Sequence, residues 1–366
     1  MIIEVAIFTG VIVYTIIYYT IISKLNLDSS NMVLPVCTDS KDPVKISIII
    51  ASKNEAINLT KLISALKNLN YSKNDYEAII VDDNSDDDTF QVAKELISNL
   101  NNFSVVCTIN KKYEGKRGAL DYGISLAKHP FILITDADCT PEKEWLLTAS
   151  EKFNSECDFT FGNAPFIQKR NIVNKVSCYE NFRNSLLAIS ATNLGFTYTA
   201  SARNFGFKKS AFEKISGYKN TTDTMSGDDD LLLREAVKNK LKVCTFTAQD
   251  SFVYSESKDT FKDYLSQRAR HTQSSFHYLF KQKMFLALWH LFNIAFILSP
   301  LLMFLNLFFI IPFAFKLILD LTTALTYQKK LGYRFKITEI IYLQFLYEMF
   351  IIIHFFNAKI GKIEWI

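Results

Sequence analysis

The six cysteines (Cys37, Cys107, Cys139, Cys157, Cys178 and Cys244) form no C-x-x-C pair, and the five histidines form no cluster beside them. A zinc site or a disulfide framework is therefore not expected; the cysteines read as reduced core thiols of a cytosolic domain. Charge imbalance is equally scarce. With 41 basic and 37 acidic residues the formal net charge is only +4, which excludes the broad basic surface of a nucleic-acid binder. Internal repeats and low-complexity segments are also lacking. What is abundant is apolar residues: 49% of the chain is hydrophobic and Phe alone numbers 31. The excess sits at the two ends.

Residues 2–22, IIEVAIFTGVIVYTIIYYTII, carry a single charge, Glu4. At about 1.5 Å per residue such a run reaches roughly 30 Å, the thickness of a bilayer core. It has no basic leading segment and no small-residue cleavage site, so it reads as a membrane anchor rather than a cleaved signal. Lys24, Lys41 and Lys45 follow it, which places the next domain on the cytoplasmic side by the positive-inside tendency. A second block runs from 285 to 319 with only His290 and Lys316 able to carry charge. That is too long for one span and suits two, turning near Ser299-Pro300 or Asn306. The basic stretch 327–336 should face the cytoplasm. Residues 337–356 form a further span or, given Glu339, Glu348 and His354, an interfacial helix; the number of crossings stays open. The expected organisation is an anchor (1–23), a linker (24–44), a catalytic domain (45–275) and a membrane region of two to three helices (276–366). The whole reads as an integral protein of a bacterial inner membrane.

Between these ends strand and helix alternate. Short β-rich runs at 45–52, 76–83, 103–109 and 130–138 are separated by helical patterns at 58–69, 89–100 and 116–128, the first with Leu59, Leu62, Ile63, Leu66 and Leu69 on one face. This alternation predicts an α/β domain with a parallel, doubly wound sheet and helices on both faces. Ligands of such sheets bind beyond the carboxyl ends of the strands. Three polar strand ends would converge there: the ASKNE turn, Asp82-Asp83, and Asp136 with Asp138.

The stretch VDDNSDDDT (81–89) holds five acids in nine positions. As a calcium loop starting at Asp82 it fails: Asp87 stands where a glycine is needed and Ala93 where a glutamate is needed. Asp86 to Asp88 suit a helix N-terminus, where carboxylates are favoured by the dipole and cap free N–H groups. That leaves Asp82 and Asp83 to explain.

ISIIIASKNEAINL, AIIVDDNSDDDT, EGKRGALDYGISLA and FILITDADCTP, in this order and spacing, resemble the family 2 glycosyltransferases over roughly residues 45–271. The resemblance implies the GT-A fold, with a mixed and mainly parallel sheet, and inverting, metal-dependent sugar transfer. The flanking apolar segments resemble the membrane-bound members that act on lipid or lipid-linked acceptors. By the same resemblance, Asp82, Asp83 and the turn Ala51 to Glu55, Lys53 included, would hold the base and ribose of a UDP- or GDP-linked sugar. Ala51 stands where the family usually has proline. Lys116 would lie near the nucleotide; otherwise it is a surface lysine at a helix start.

In ITDADC, Asp136 and Asp138 would lie on one side if the strand continued. Carboxylates there would hold Mg²⁺ or Mn²⁺, which stabilises the charge developing on a departing diphosphate. Asp138 is the expected direct ligand, with Asp136 on the ribose or on a metal-bound water. SGDDDLLLREA resembles the family's E-D-x-D-L-x-L-R, with Gly227 in place of the Glu. Asp228 then becomes the general base that takes the acceptor hydroxyl proton, and Asp229 is the alternative register. Arg203 and Asn204 are candidate donor or acceptor contacts. QRARH (267–271) is similar to the family's Q-x-x-R-W. Gln267 and Arg270 would hold the diphosphate, although a basic stretch before a span also suits anionic headgroups. His271 in place of Trp argues against a processive polysaccharide synthase. A catalytically silent membrane module and a metal-dependent nucleotidyltransferase are the remaining alternatives. The partners implied are the sugar nucleotide, a lipid-like acceptor and the bilayer, with no nucleic acid.

Overall fold

The computed structural model describes residues 2–28, 44–155 and 157–360. Residues 29–43 of the expected linker, with Cys37, lie outside them. In chain order the elements are α1 (Ile2–Ile22), β1 (Ile46–Ser52), α2 (Ala56–Lys67), β2 (Tyr76–Asp82), α3 (Thr89–Leu96), β3 (Phe103–Cys107), α4 (Gly115–Leu126), β4 (Phe131–Asp136), β5 (Cys139–Pro141), α5 (Trp145–Asn154), β6 (Phe159–Gly162), α6 (Ile172–Asn193), β7 (Phe205–Lys208), α7 (Lys209–Lys214), α8 (Asp228–Lys238), β8 (Val243–Phe246), β9 (Val253–Ser255), α9 (Phe261–Ser275), α10 (Phe280–Leu298), α11 (Ile310–Tyr327) and α12 (Ile337–Ile360). Contacts group them into two units. The strands with α2–α5, α7 and α8 form one; α1, α6 and α9–α12 form the other. Residues 168–194 and 257–275 therefore group with the apolar helices, although they fall inside the 45–275 stretch.

The sheet unit carries seven strands in the order β3-β2-β1-β4-β7-β6-β8. β3, β2, β1 and β4 are mutually parallel, β7 runs antiparallel to both β4 and β6, and β8 is parallel to β6. The result is a mixed, mainly parallel sheet. Strands buried on both faces must be apolar on both, and β1 and β2 read so. Ile46, Ile48 and Ile50 of β1 join Leu59, Leu62, Ile63 and Leu66 of α2 in one core. On the opposite face Gly123 of α4 meets Ile49 and Val81; a Cβ there would lie 2.7–2.8 Å from their methyl groups. The absent side chain lets α4 lie close against the sheet.

The two cysteines expected to be free thiols at the sheet edge are not free. Cys157 and Cys244 form a disulfide across 87 residues. The parallel register of β6 and β8 pairs Thr160 with Cys244 and Phe159 with Val243, so the residues just before β6 come beside β8. Linear spacing carries no trace of that pairing. Among the described residues Cys107, Cys139 and Cys178 remain thiols.

Among the described residues, four stretches, all in the helical unit, are long and apolar enough to cross a membrane: Ile7–Leu25, Phe280–Leu302, Leu307–Tyr327 and Ile337–Ile360. The long apolar block divides where expected, at short 3₁₀ turns from Ser299 to Leu302 and Leu307 to Phe309. Its charges are paired inside. Lys316 of α11 pairs with Asp320 one turn on and lies 3.3 Å from Glu348 of α12, while Arg183 of α6 reaches Asp320 at 2.7 Å. Tyr18 donates to the same Asp320 at 3.1 Å, and Tyr14 to Asn293 at 2.8 Å. Buried charges need such partners. This pairing explains how α12 carries Glu348 in an otherwise apolar span.

Candidate active site

Register brings the polar strand ends together. Ser52 of β1 pairs with Asp82 of β2, and Ala51 pairs with Asp136 of β4. The chain leaves β1 toward β2 and β3, then returns to β4 on the other side. The crevice thus opens at the switch point of the sheet, where strand order reverses.

Two loops at this end are laced together. Asn54 and Asn84 adopt left-handed conformations, with φ of 58° and 53°. The Asn54 N–H donates to Ser85 Oγ at 3.0 Å, and the Asp86 N–H donates to Asn54 Oδ1 at 2.8 Å. Asp87 accepts from the N–H groups of Thr89 and Ala56 at 3.0 and 3.3 Å. The Asp87 carboxylate and the Asp86 backbone therefore build the loop, while Asp88 stands at the start of α3 without a side-chain capping bond. Asp82 builds the loop too: it is buried and accepts from Ser85 Oγ at 2.5 Å. Asp83 differs. It is 4% exposed, its Oδ1 lies 2.6 Å from Lys111 Nζ, and that same oxygen accepts from Thr108 at 3.1 Å. Lys111 was not foreseen from the sequence. Lys53 is exposed, and Glu55 is half-buried and accepts from Asn58 at 2.6 Å.

β4 stops at Asp136, and Ala137 with Asp138 make a turn. Strand alternation therefore does not align the two carboxylates; the turn does. Asp136, Asp138 and Cys139 each offer a ligand atom within 4.8 Å of the others. Burial, and after it the Asp136 carboxylate, raise the Asp138 carboxyl above its ordinary range, although the side chain itself opens to solvent. Cys139 is buried, and that burial, followed by the two carboxylates, raises its thiol well above the usual range. It is a neutral S–H that donates to Asp138 Oδ1 at 3.5 Å. Two carboxylate oxygens with an exposed member fit a hard divalent cation that keeps further ligand positions open.

Lys116 stands at the start of α4. The close approach of the Tyr113 carbonyl, 1.9 Å from where a Cβ of residue 118 would be, explains the glycine of EGKRGAL there. Lys116 Nζ lies 2.5 Å from Asp136 Oδ1 and 3.9 Å from Asp228 Oδ2. Burial works against its charge, but Asp136 and then Asp228 hold the ammonium well above its ordinary range. Lys116 is thus not a surface lysine. Its neighbour Arg117 is buried and donates to the carbonyl of Thr224 at 3.0 Å, in the loop that leads into α8.

Gly227 caps α8 with φ of 74°, a conformation that glycine adopts without a Cβ penalty. The three acids that follow differ in their partners. Asp229 accepts from the Ala202 N–H at 2.7 Å and the Asp230 N–H at 2.8 Å. Asp230 accepts from Thr199 Oγ1 at 2.6 Å. Asp228 Oδ2 is buried and accepts no hydrogen bond. Burial, then Asp230 and Asp228, raise the Asp229 carboxyl well above the ordinary range.

Arg203 lies with its guanidinium carbon 4.3 Å from the Phe166 ring centroid and donates to Ser255 Oγ. Asn204 is corrected to a packing residue. It is fully buried, takes the Trp145 indole N–H at 2.8 Å and donates to the Asn163 carbonyl at 3.0 Å. Gln267 and Arg270 belong to α9 of the helical unit. There Arg268, between them in sequence, holds buried Glu180 of α6 at 2.5 Å.

Residues 47–216 match the family described as Glycosyl transferase family 2. That stretch, which runs from β1 through β7, is similar to the family. Among curated relatives, the glycosyltransferase AglE of Haloferax volcanii is 26% identical over 162 residues, 42% of this chain and 50% of that protein. The beta-monoglucosyldiacylglycerol synthase of Trichormus variabilis is 34% identical over 111 residues, 30% of this chain and 24% of that protein. The chain thus spans half of the first and about a quarter of the second. A mannosyltransferase from Pyrobaculum calidifontis, solved in complex with GDP-Man and Mn²⁺, superposes with a TM-score of 0.58 at 16% identity, covering 98% of this chain and 96% of that one. At that identity the likeness concerns the fold alone: a GT-A-like sheet domain with long apolar helices at both ends of the chain.

Proposed function

We propose that this chain is a membrane-anchored, inverting glycosyltransferase that moves one sugar from a UDP- or GDP-linked donor to a hydroxyl of a lipid or lipid-linked acceptor. Asp228 is the base. It takes the proton of the acceptor hydroxyl as that oxygen bonds to the anomeric carbon, while the carbon–oxygen bond to the diphosphate breaks on the opposite face. The nucleoside diphosphate leaves, and the anomeric centre inverts because there is one displacement.

The observation that carries this reading is the buried, unbonded Oδ2 of Asp228, set across Lys116 from the Asp136–Asp138 pair. A base needs a carboxylate that backbone and hydroxyl donors have not already taken; Asp229 and Asp230 accept such bonds and Asp228 does not. Asp136 and Asp138 are the residues that would hold Mg²⁺ or Mn²⁺. Such an ion, when bound, supplies positive charge to the departing diphosphate. Asp83, Lys111 and the turn from Ala51 to Glu55 are the residues that would border the nucleoside end of the donor. The four apolar helices are long enough to anchor the chain in a bilayer, where lipid acceptors are confined. The names of a diacylglycerol glucoside synthase and of a GDP-mannose-bound neighbour support this choice of acceptor and donor class.

The test is donor turnover by the detergent-purified chain. UDP- and GDP-sugars are offered with Mg²⁺ or Mn²⁺ and a membrane lipid extract, alongside Asp138→Asn and Asp228→Asn. Release of nucleoside diphosphate that requires lipid and metal, and is lost in both variants, is expected. A ladder of products would point instead to a processive synthase. No release and no nucleotide binding would leave a silent module.

A further inference from the structure

Lys116 is held between two acids of different assignment, and the two contacts are unequal. Its ammonium is 2.5 Å from Asp136, on the metal side, and 3.9 Å from Asp228, on the base side. The Asp228 atom it faces at the longer distance is Oδ2, the same buried oxygen that accepts no hydrogen bond. An ammonium–carboxylate hydrogen bond closes at about 2.8 Å, so a shift of roughly 1 Å completes it. A four-carbon stem allows that shift by small rotations. The backbone on both sides is fixed: the crowded Gly118 sets the start of α4, and the Arg117 bond to Thr224 ties α4 to the loop before α8. The side chain of Lys116 is the part left to move.

A divalent cation at Asp136 and Asp138 would be a second positive charge on a carboxylate already satisfied by one. Two cations on one carboxylate repel each other, and the tethered one has a vacant acceptor beside it. Building on the reading of this crevice as a metal-dependent transferase site, we propose that Lys116 is its built-in counter-ion, and that it passes from Asp136 to Asp228 when a divalent cation binds. Lys116 is then a positioning residue. It neutralises the acids in the metal-free enzyme, competes with the metal for Asp136, and on release holds the Asp228 carboxylate through the buried Oδ2, so that the other oxygen, Oδ1, is the one that meets the acceptor hydroxyl. Metal binding and readiness of the base are thereby linked through one side chain.

The experiment is direct Mn²⁺ binding to the full chain in detergent, without donor, followed by the loss of the free-ion electron paramagnetic resonance signal. Lys116→Met removes the competitor and is expected to bind Mn²⁺ about tenfold more tightly than wild type, the scale set by an opposite charge within a few ångströms. Lys116→Arg keeps the charge and should stay near wild type. Asp228→Asn leaves metal ligands untouched but weakens the place Lys116 moves to, so Mn²⁺ should bind several-fold more weakly. If Lys116→Met binds no tighter than wild type, or Asp228→Asn binds equally well, while Asp138→Asn still abolishes binding, the counter-ion proposal is wrong and the metal site stands. Should Lys116→Met not fold, the Asp228→Asn comparison decides alone. Failure of wild type and every variant to bind Mn²⁺ at millimolar concentration would overturn the metal reading as well.

Discussion

Arg117 and Thr224 are 107 residues apart in sequence, yet the Arg117 guanidinium donates to the Thr224 carbonyl at 3.0 Å. A second guanidinium contact reaches the Ser226 carbonyl at 3.5 Å. These bonds join the helix that carries Lys116 to the loop that delivers Asp228. Arg117→Leu should therefore cost about 1–3 kcal/mol of stability, since two carbonyls lose a charged donor. It should also lower kcat by tenfold or more, with the donor KM moving less. Thermal unfolding and steady-state kinetics measure both, and an unchanged kcat in a folded variant would show that the tether does not position the base.

Asp228 and Asp229 should separate cleanly. Asp228→Asn is expected to reduce turnover by roughly 10²–10⁴-fold, the usual contribution of a general base, with little change in melting temperature. Asp229→Ala strips acceptors from the N–H groups of Ala202 and Asp230, and should destabilise by about 1–3 kcal/mol. If Asp229→Ala instead kept its melting temperature and lost turnover while Asp228→Asn stayed active, the register would shift by one.

Glu180 provides a pH test in the helical unit. Burial alone would raise its carboxyl, but the Arg268 guanidinium, followed by His354 and Tyr264, holds it at about 2. Arg268 lies at 2.5 Å and His354 Nε2 at 3.5 Å, and the Tyr264 hydroxyl donates to it. A depressed carboxyl contributes stability that is present above its unfolded value, near 4.3, and is lost as pH falls toward about 2. The size is of the order of 2–3 kcal/mol. Glu180→Gln should be less stable at pH 7, and its melting temperature should fall less than wild type between pH 5 and about pH 2. Parallel acid slopes for the two proteins would remove Glu180 from the account.

The Cys157–Cys244 bond closes a loop of 87 residues. On the chain-entropy account a loop that long is worth about 4–5 kcal/mol, an upper figure for the native bond. The double variant Cys157→Ser, Cys244→Ser should melt correspondingly lower. Alkylation without reductant, followed by mass spectrometry, should label Cys107 before either of the pair. Full labelling of Cys157 and Cys244 in the native protein would show that the pair is reduced.

Much of the fold was legible because it rests on local signals. Ile46–Ser52 and Tyr76–Asp82 are short, mostly apolar runs rich in β-branched residues and buried along both faces, the pattern of a strand covered on two sides. The apolar blocks at the ends have bilayer length. The placement of Asp82 and Asp136 at strand ends follows from where the apolar runs stop. The alternating pattern of strand and helix then allows few arrangements other than a parallel sheet with its crevice beyond those ends.

Relations across the sheet had no such signal. The register of β6 against β8 brought Cys157 to Cys244. The turn after β4 aligned Asp136 with Asp138, where strand alternation was the reason expected. Burial took Asn204 into the core under the Trp145 indole. Above all, three adjacent aspartates at 228–230 are equivalent as letters. They became different only when Ala202, Thr199 and Lys116, from distant parts of the chain, were folded against them. Sequence by itself determined which residues must be buried and where the polar ends fall, because apolar burial is additive and local. Tertiary structure alone decided which carboxylate keeps an uncommitted oxygen, because hydrogen bonds are directional and each depends on a partner whose position the linear order does not contain.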